Sequence, residues 1–425
     1  MCRRISLSLL LLSAITTKAI SADNHFLAVG KDGTFKTISQ AISSLPMFNY
    51  ERVVIYIENG IYSEKIKIDR DNVTLLGQSR DSTIISYYQL HTDWIKNPDS
   101  IGPAVVNIHA DDVVLDNLTI DNIQPEIGPH AFAVYGDGTR TVMTDCNVLS
   151  NGGDTVSLWN YKTGMYYCSN CTFQGAVDCV CPRGWCFIRD SKFFEMKEGS
   201  ATIWHAGGYD RSQKFVVVNS SFDGVKGFEL GRHHYEAQFF ILNCTFSDSM
   251  ADKPINRVTY EDSSENRSFN WGERDYYYNC HRGNLSSGDS GDYKWFSENL
   301  ASADGSPMPG DITPFWTFGG KWDPESTVGP GLVDHELHTR YVLFHFPEPM
   351  TVIGKPVLIS ANATELTYSS GSGSNTLRFD SVNDLMERDL EGLQVMTAEG
   401  ASASRVEGNT AGIHERDANF DIRRE

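Results

Sequence analysis

The stretch NCTFQGAVDCVCPRGWCFIRDSKF, Asn170–Phe193, opens and closes with the same short pattern, and this pattern decides the fold. In each copy an Asn or Asp is followed three residues later by an apolar side chain. The copies end at Ile120, Val148, Phe173, Phe193, Phe222 and Phe246, at spacings of 28, 25, 20, 29 and 24 residues. The segments between them hold β-branched or aromatic runs separated by Asn, Asp and Gly, the composition of short strands and turns. Such a repeat, with no 3.6-residue apolar period, predicts an all-β chain: a right-handed parallel β-helix with about three strands per turn.

The chain on either side of the repeats predicts further parts. Upstream, GTFKTISQAISSLP indicates a helix that caps the coil, because Thr37 suits its N-terminus and Pro46 its end. We expect the coil, as the functional domain, to occupy residues 23–330. Downstream, alternating strands with Pro and Gly/Ser turns predict a small β-sandwich over residues 339–425, the end of which is either its last strands or an unstructured tail.

Composition and charge restrict the partners and the compartment. The 425 residues carry a formal charge of −19, which argues against binding to nucleic acid or to an anionic membrane. Residues 1–22 have basic residues, a short apolar run and small residues near their end, which predicts a secretory signal and an extracellular protein. Secretion makes disulfides possible, with Cys179, Cys181 and Cys186 competing for partners. The cysteine spacing fits a zinc site poorly, so no metal is expected.

Two aspartates occupy nearly the same place in consecutive repeats. Asp154 and Asp178 are 24 residues apart, and one turn of a β-helix advances by about 4.8 Å. The two carboxylates should therefore stack on one face, where they cannot both be charged easily, so that one can act as an acid while the other stays ionised. Arg232, ten residues after Phe222, can reach the same face and hold one aspartate ionised. The alternative is a structural ladder of turn aspartates, which solenoids also use.

These motifs carry a resemblance to a known family. GTFKTISQAI, GIYSEKI, GGDTVSLW, GAVDCV and LGRHH follow one another in the order of the pectin methylesterase (pectinesterase) motifs, over residues 27–322. The chain resembles a divergent, bacterial-type member. The resemblance implies a parallel β-helix that hydrolyses methyl esters of galacturonate units in pectin through an aspartyl acyl-enzyme, without a cofactor and as a monomer. By position, Asp178 resembles the nucleophile, Asp154 the general acid/base, and Arg232 the arginine that orients the nucleophile.

Some positions depart from the family pattern. Gly153 stands where the family has a glutamine before its acid/base, and His130 aligns with a second family glutamine. Because those glutamines hold the oxyanion, we expect His130, or backbone N–H groups around Gly152 and Gly153, to take over this role. Residues that follow or lie near the same turns are the candidates for binding pectin, a methylated homogalacturonan: Trp159, Trp185, His233, His234 and Tyr235.

Two other classes of function remain open from the sequence. One is a β-helix hydrolase or lyase that cuts the polygalacturonate backbone, since a hydrolase also needs paired carboxylates. The other is a secreted polysaccharide-binding or adhesion protein without catalytic activity. The C-terminal part favours some accessory role, since it loosely resembles the Ig-like β-sandwich repeats of secreted bacterial proteins.

Overall fold

The computed structural model of the protein describes most of the chain. The described residues are 26–49, 52–259, 261–262, 264, 266, 269–283, 291–327, 334–353, 357–359, 364–372, 374–386, 394–396 and 402–405. The signal predicted at residues 1–22 lies outside them. No helix among the described residues is long and apolar enough to cross a membrane.

The predicted parallel β-helix is confirmed, with three parallel sheets that run along the coil. The ten-stranded sheet contains, in order, Phe26–Val29, Val53–Ile57, Val73–Gly77, Val114–Asp116, Thr141–Thr144, Met165–Ser169, Trp185–Arg189, Phe215–Val218, Phe239–Leu242 and Asp275–Tyr278. The nine-stranded sheet contains Gly60–Tyr62, Thr83–Tyr87, Thr119–Asn122, Asn147–Ser150, Thr172–Gly175, Lys192–Glu195, Ser221–Gly224, Thr245–Phe246 and His281–Arg282. The eight-stranded sheet contains Ile66–Ile68, Val106–Ile108, Val134–Gly136, Val156–Leu158, Val180–Pro182, Ala201–His205, Glu229–His233 and Asn256–Arg257.

The sequence repeat corresponds to one register position of the nine-stranded sheet. The apolar residues that end the copies pair in succession from Ile120 to Phe246, and all of them are buried. Their rings form a stack inside the coil: Phe193 and Phe222 have ring centroids 4.4 Å apart and planes 2° apart. Each fully buried Phe contributes about 1.5–3 kcal/mol, so this column is a major part of the core.

The Asn or Asp that begins each of the six copies, and Asn279 after them, makes the turn out of the ten-stranded sheet. Asn117, Asp145, Asn170, Asp190, Asn219, Asn243 and Asn279 all have φ between 48° and 54°. Asn and Asp tolerate this left-handed conformation better than other non-glycine residues. Several of the side chains also donate to the equivalent residue of the preceding turn, for example Asn279 Nδ2 to Asn243 Oδ1 at 2.9 Å. The Asn-x-Ser/Thr sites in these turns are therefore part of the coil's own hydrogen bonding.

A second ladder of small donors follows directly after these turns. Cys146, Cys171, Ser191, Ser220, Cys244 and Cys280 each come one residue after the left-handed position and bond to the carbonyl oxygen two residues before them. All eight cysteines from Cys146 to Cys280 are buried free thiols. The disulfides that the sequence left open among Cys179, Cys181 and Cys186 are thus absent from the described residues.

Both ends of the coil are covered. The predicted capping helix is present as Ile38–Ser44, and the Thr37 hydroxyl accepts a hydrogen bond from Gln40 N–H at 3.1 Å. At the other end Phe296 stacks on Phe246, with ring centroids 4.9 Å apart. The other helices in the described part of the chain are His91–Lys96, Pro314–Thr317 and Pro324–Thr327, with 3₁₀ turns at Lys294–Phe296, Leu300–Ser302 and Pro309–Asp311.

The C-terminal part forms a separate antiparallel unit. Seven strands among its described residues form one connected sheet: Asp334–His338, Tyr341–Ile353, Val357–Ile359, Glu365–Ser370, Ser374–Asp380, Gln394–Met396 and Ser402–Arg405. The long strand changes register between His345 and Met350, an irregularity of the kind that bends a sheet. Val342, Leu358, Leu377 and their neighbours give the unit its own apolar core. The sequence predicted that this unit begins at Thr339, and its first described strand begins earlier, at Asp334.

Candidate active site

Asp154 and Asp178 lie in equivalent turns, where the chain passes from the nine-stranded to the eight-stranded sheet. Each comes two residues before one of the paired strand residues Val156 and Val180. Both have a left-handed backbone, with φ of 59° and 52°. The Asp154 N–H donates to Val177 O at 2.7 Å, which links the two turns directly. The predicted stacking of the two aspartates on neighbouring turns is therefore present.

Arg232 forms a bidentate ion pair with Asp178. It lies in the strand Glu229–His233, and its Nε and Nη2 donate to the two carboxylate oxygens at 2.9 and 2.7 Å. Asp178 is only 5% exposed. Burial raises the pKa of the Asp178 carboxyl to about 6, and the Asp154 charge adds to this, while Arg232 and His130 oppose it. Because this pKa lies below 7, the fork-shaped pair is ionised at neutral pH.

Asp154 is more accessible than Asp178 and has different neighbours. Its side chain is 14% exposed, and Oδ2 lies 3.3 Å from the Ser157 hydroxyl. Its other oxygen, Oδ1, lies 3.7 Å from Nε2 of His130. The site thus combines a deeply buried carboxylate held by a guanidinium with a second, partly exposed carboxyl group beside it, the arrangement expected of a nucleophile and an acid/base.

His130 and Gly153 form a pair across adjacent turns. They are joined by a parallel β-bridge, and the His130 side chain is 55% exposed. A Cβ atom at position 153 would lie 3.0 Å from Cδ2 of the His130 ring. The absence of a side chain at Gly153 therefore leaves room for the imidazole next to Asp154.

The backbone of this glycine turn cannot supply the oxyanion donor that the sequence suggested. The Gly153 N–H donates to Pro129 O at 3.0 Å, and the Gly152 N–H to the Ser150 hydroxyl at 2.9 Å. Because both donors are already used inside the turn, that part of the prediction is wrong. Of the oxyanion donors that the sequence suggested, the His130 side chain remains as a candidate.

The residues predicted to bind substrate divide into two groups. Trp159 is 37% exposed and lies two residues after Ser157 on the same outer face of the eight-stranded sheet. His234 and Tyr235 are half-buried, and the His234 ring meets Trp204 edge-on at 5.7 Å. These three residues lie beside or just after the strands that carry the candidate catalytic groups.

Trp185 and His233 do not lie on that face, and the prediction for them is wrong. Trp185 begins a strand of the ten-stranded sheet, where it is buried in a cluster with Met165, Leu300 and Phe318. His233 is 2% exposed and its ring contacts those of Phe239 and Phe269. It follows Arg232 in the strand, and successive strand residues point to opposite faces, so His233 points into the coil.

The structure adds residues that sequence reasoning missed. Ser157 and Arg183 contact one another beside Asp154. A cavity of about 480 Å³ continues from Trp159 along the same sheet and is lined by His91, Trp94, Phe132 and Tyr135 among others. Strand alternation would have placed Ser157 outside, next to Asp154. Arg183, in a Pro-Arg-Gly segment, has the local sequence of an exposed turn residue.

The described residues contain no group of three or more His, Cys, Asp or Glu side chains arranged to hold a metal.

Comparison with known proteins agrees with this geometry. Residues 25–222, which include both aspartates but not Arg232, match the family model Pectinesterase. Probable pectinesterase 8 of Arabidopsis thaliana is 26% identical over 276 residues, 60% of this chain and 67% of the relative. Probable pectinesterase A of Aspergillus niger is 33% identical over 165 residues, 38% of this chain and 49% of the relative. The chain thus spans about half to two thirds of the length of these relatives.

A solved structure shows the same fold. A pectin methylesterase in complex with hexasaccharide VII superposes with a TM-score of 0.54 at 22% identity, covering 70% of this chain and 98% of its own. At that identity the likeness concerns the parallel β-helix. This chain is similar to the pectinesterase family over residues 25–222, which include the turns of Asp154 and Asp178, and it shares the parallel β-helix fold of the solved structure.

Proposed function

We propose that this protein is a secreted carbohydrate esterase that hydrolyses the methyl esters of galacturonate units in pectin. The observation that carries the proposal is the buried Asp178 carboxylate, held by both arms of Arg232 and lying beside Asp154. The relatives named as pectinesterases support the same chemistry.

In the proposed reaction Asp178 is the nucleophile. Its carboxylate attacks the ester carbonyl, and the C–O bond to methanol breaks to leave an anhydride between Asp178 and the galacturonate carboxyl. Asp154 gives its proton to the departing methanol oxygen. It then takes a proton from water, which attacks the galacturonate acyl carbon and releases Asp178 as a carboxylate. Arg232 keeps Asp178 ionised and oriented for the first step.

We propose His130 as the donor to the oxyanion that forms during both attacks. Its ring is exposed, is next to Asp154 and occupies the space above Gly153. A single donor of this kind contributes about 3–4 kcal/mol of transition-state stabilisation.

The proposed substrate is methylated homogalacturonan, bound along the outer face of the eight-stranded sheet. Trp159 offers an exposed aromatic ring next to the carboxylates, and the aromatic cavity continues from it. The hexasaccharide carried by the structural neighbour supports a site for several sugar units. We propose residues 23–330 as the catalytic domain and residues 339–425 as an accessory unit of a monomeric extracellular enzyme that uses no cofactor.

Methanol release from highly methylated pectin tests the proposal. Wild-type protein should release methanol, and Asp178→Asn should not. Asp190→Asn is the matched control, because Asp190 has the same left-handed backbone (φ 50°) in a different turn and should tolerate the change. Binding of pectin without methanol release would favour the non-catalytic alternative. New reducing ends or unsaturated products would instead indicate cleavage of the backbone by a hydrolase or a lyase.

A further inference from the structure

Arg183 is a buried cation that contacts Ser157, the hydrogen-bond partner of Asp154. It is 5% exposed, and Nη1 donates to Cys181 O at 3.0 Å. Its guanidinium carbon lies 3.8 Å from the ring centroid of Trp159 and 4.5 Å from that of Trp204. Within the part of the chain that the structure describes, no carboxylate oxygen lies within 4.0 Å of its nitrogens. The two aromatic faces offset part of the cost of burying this charge, and the charge acts on its surroundings through a medium of low polarity.

The contacts of the Ser157 hydroxyl fix the direction of its hydrogen bonds. Its Oγ lies 2.9 Å from Trp159 Nε1 and 3.5 Å from Arg183 Nη1, both of which are donors only. Cys181 Sγ lies 3.4 Å from the same oxygen but 3.2 Å from Val156 O, the closer acceptor for its single S–H. A hydroxyl has two lone pairs and one proton. Since two donors occupy the lone pairs, its proton points to Asp154 Oδ2 at 3.3 Å.

This arrangement distinguishes the two oxygens of Asp154. Oδ2 accepts from Ser157, whereas Oδ1 faces His130 on the exposed side of the site. We propose that Ser157 and Arg183 are positioning residues for Asp154, which make Oδ1 the atom that carries and transfers the catalytic proton. The inference rests on the esterase function proposed above.

The proton balance of the reaction shows when the pair acts. As the ester C–O bond breaks, the Oδ1 proton passes to the methanol oxygen and Asp154 becomes a carboxylate. Ser157 and the positive charge of Arg183 stabilise this ionised form until a proton from the attacking water returns to Oδ1. Removing either residue should therefore slow the steps that need Asp154 more than it weakens substrate binding, to which both residues contribute only through Trp159.

Two esters of one oligogalacturonide, a methyl ester and an aryl ester, test the idea. In Ser157→Ala and Arg183→Met, kcat for the methyl ester should fall about tenfold, a part of the usual contribution of general acid catalysis. KM, to which both residues contribute only through Trp159, should change less than kcat. The first-turnover burst of phenol from the aryl ester should change less than about twofold, because that leaving group needs no proton. Arg274→Met is the matched control: Arg274 is 4% exposed, lies 5.2 Å from the Trp271 ring and donates to Arg211 O, away from Asp154. It should alter neither rate.

A second measurement does not depend on activity. The infrared carbonyl band of protonated Asp154, assigned by its loss in Asp154→Asn, should shift in frequency in Ser157→Ala. If the wild type releases no methanol, the proposed function fails while this band still tests the hydrogen-bond pair. Equal losses on both esters, or an unchanged band, would overturn the positioning role.

Discussion

Arg232→Gln removes the charge that faces Asp178 and keeps a shorter, polar side chain. Removing one partner of a buried ion pair costs about 3–5 kcal/mol. The Arg232 side chain is 30% exposed, so water replaces part of the interaction, and we take about 2 kcal/mol as the effective loss. At 1.36 kcal/mol per pH unit this raises the pKa of Asp178 by about 1.5 units.

The expected result is a displaced acid limb in the pH–rate profile. Attack requires ionised Asp178, so kcat/KM falls as the pH drops through its pKa, which is about 6 in the wild type. In Arg232→Gln the limb should move to about pH 7.5, and the ionised fraction at pH 6.5 should fall about eightfold. Well above pH 8.5 the two profiles should approach each other, and any remaining deficit measures the loss of orientation.

The assay is methanol release between pH 5 and 9, with Arg140→Gln as the control. Arg140 also forms a two-armed pair with an aspartate of left-handed backbone, Asp112, but at another place on the coil. The acid limb of the pH–rate profile of Arg140→Gln should stay at the wild-type pH. A limb that does not move in Arg232→Gln would refute the reasoning, since either Asp178 is not the titrating group or Arg232 does not determine its charge.

Three other predictions concern the neighbourhood of the site and the coil. His130→Ala should lower kcat about 100-fold with an unchanged melting temperature. Gly153→Ala should lower kcat less, because the new Cβ displaces the His130 ring, of which Cδ2 lies 3.0 Å away. Unchanged turnover in His130→Ala would exclude His130 as the oxyanion donor. Trp159→Ala should raise KM for pectin oligosaccharides. Trp185→Ala should leave KM unchanged and lower the free energy of unfolding by about 3–5 kcal/mol in denaturant titrations. The reverse pattern would contradict the assigned positions of the two rings. Cys171→Ser should cost less than about 1 kcal/mol in the same titrations, since serines occupy the equivalent place in two later turns, and a larger loss would mean that sulfur volume is essential.

The fold could be predicted because each turn of the coil repeats the same physical requirements. A residue that tolerates positive φ, a small donor and an inward apolar side chain recur in that order, and the copies pair in register. The two aspartates were predictable for the same reason, since a position counted from the repeat gives a position in the stack. Arg232 followed from the same count, two strands further along the eight-stranded sheet.

The errors arose where one residue decides the direction of a side chain. In strands of three to five residues, a shift by one position moves a side chain from the outer to the inner face. Once Arg232 is assigned to the outer face, His233 must point inward, and this constraint was available in the sequence. Trp185 was placed by its distance from Asp178 along the chain, but a new sheet begins there. The donors of Gly152 and Gly153 depend on which carbonyl groups the turn brings close, which no local pattern states.

Arg183 shows why the other residues of the site could not be predicted from a single segment of the sequence. Its aromatic neighbours, Trp159 and Trp204, are 24 and 21 residues away, and each lies on a different turn of the coil. In a β-helix, residues one repeat apart become neighbours at about 4.8 Å, so the charge balance of the site is summed across turns. Asp178 is matched in this way by the guanidinium group of Arg232, and Asp154 is linked through Ser157 to that of Arg183, which comes from a separate turn. A chain with this fold can therefore exchange individual groups while the stacked pair of aspartates keeps its geometry, and His130 beside Gly153 is the place where we expect such an exchange to have occurred.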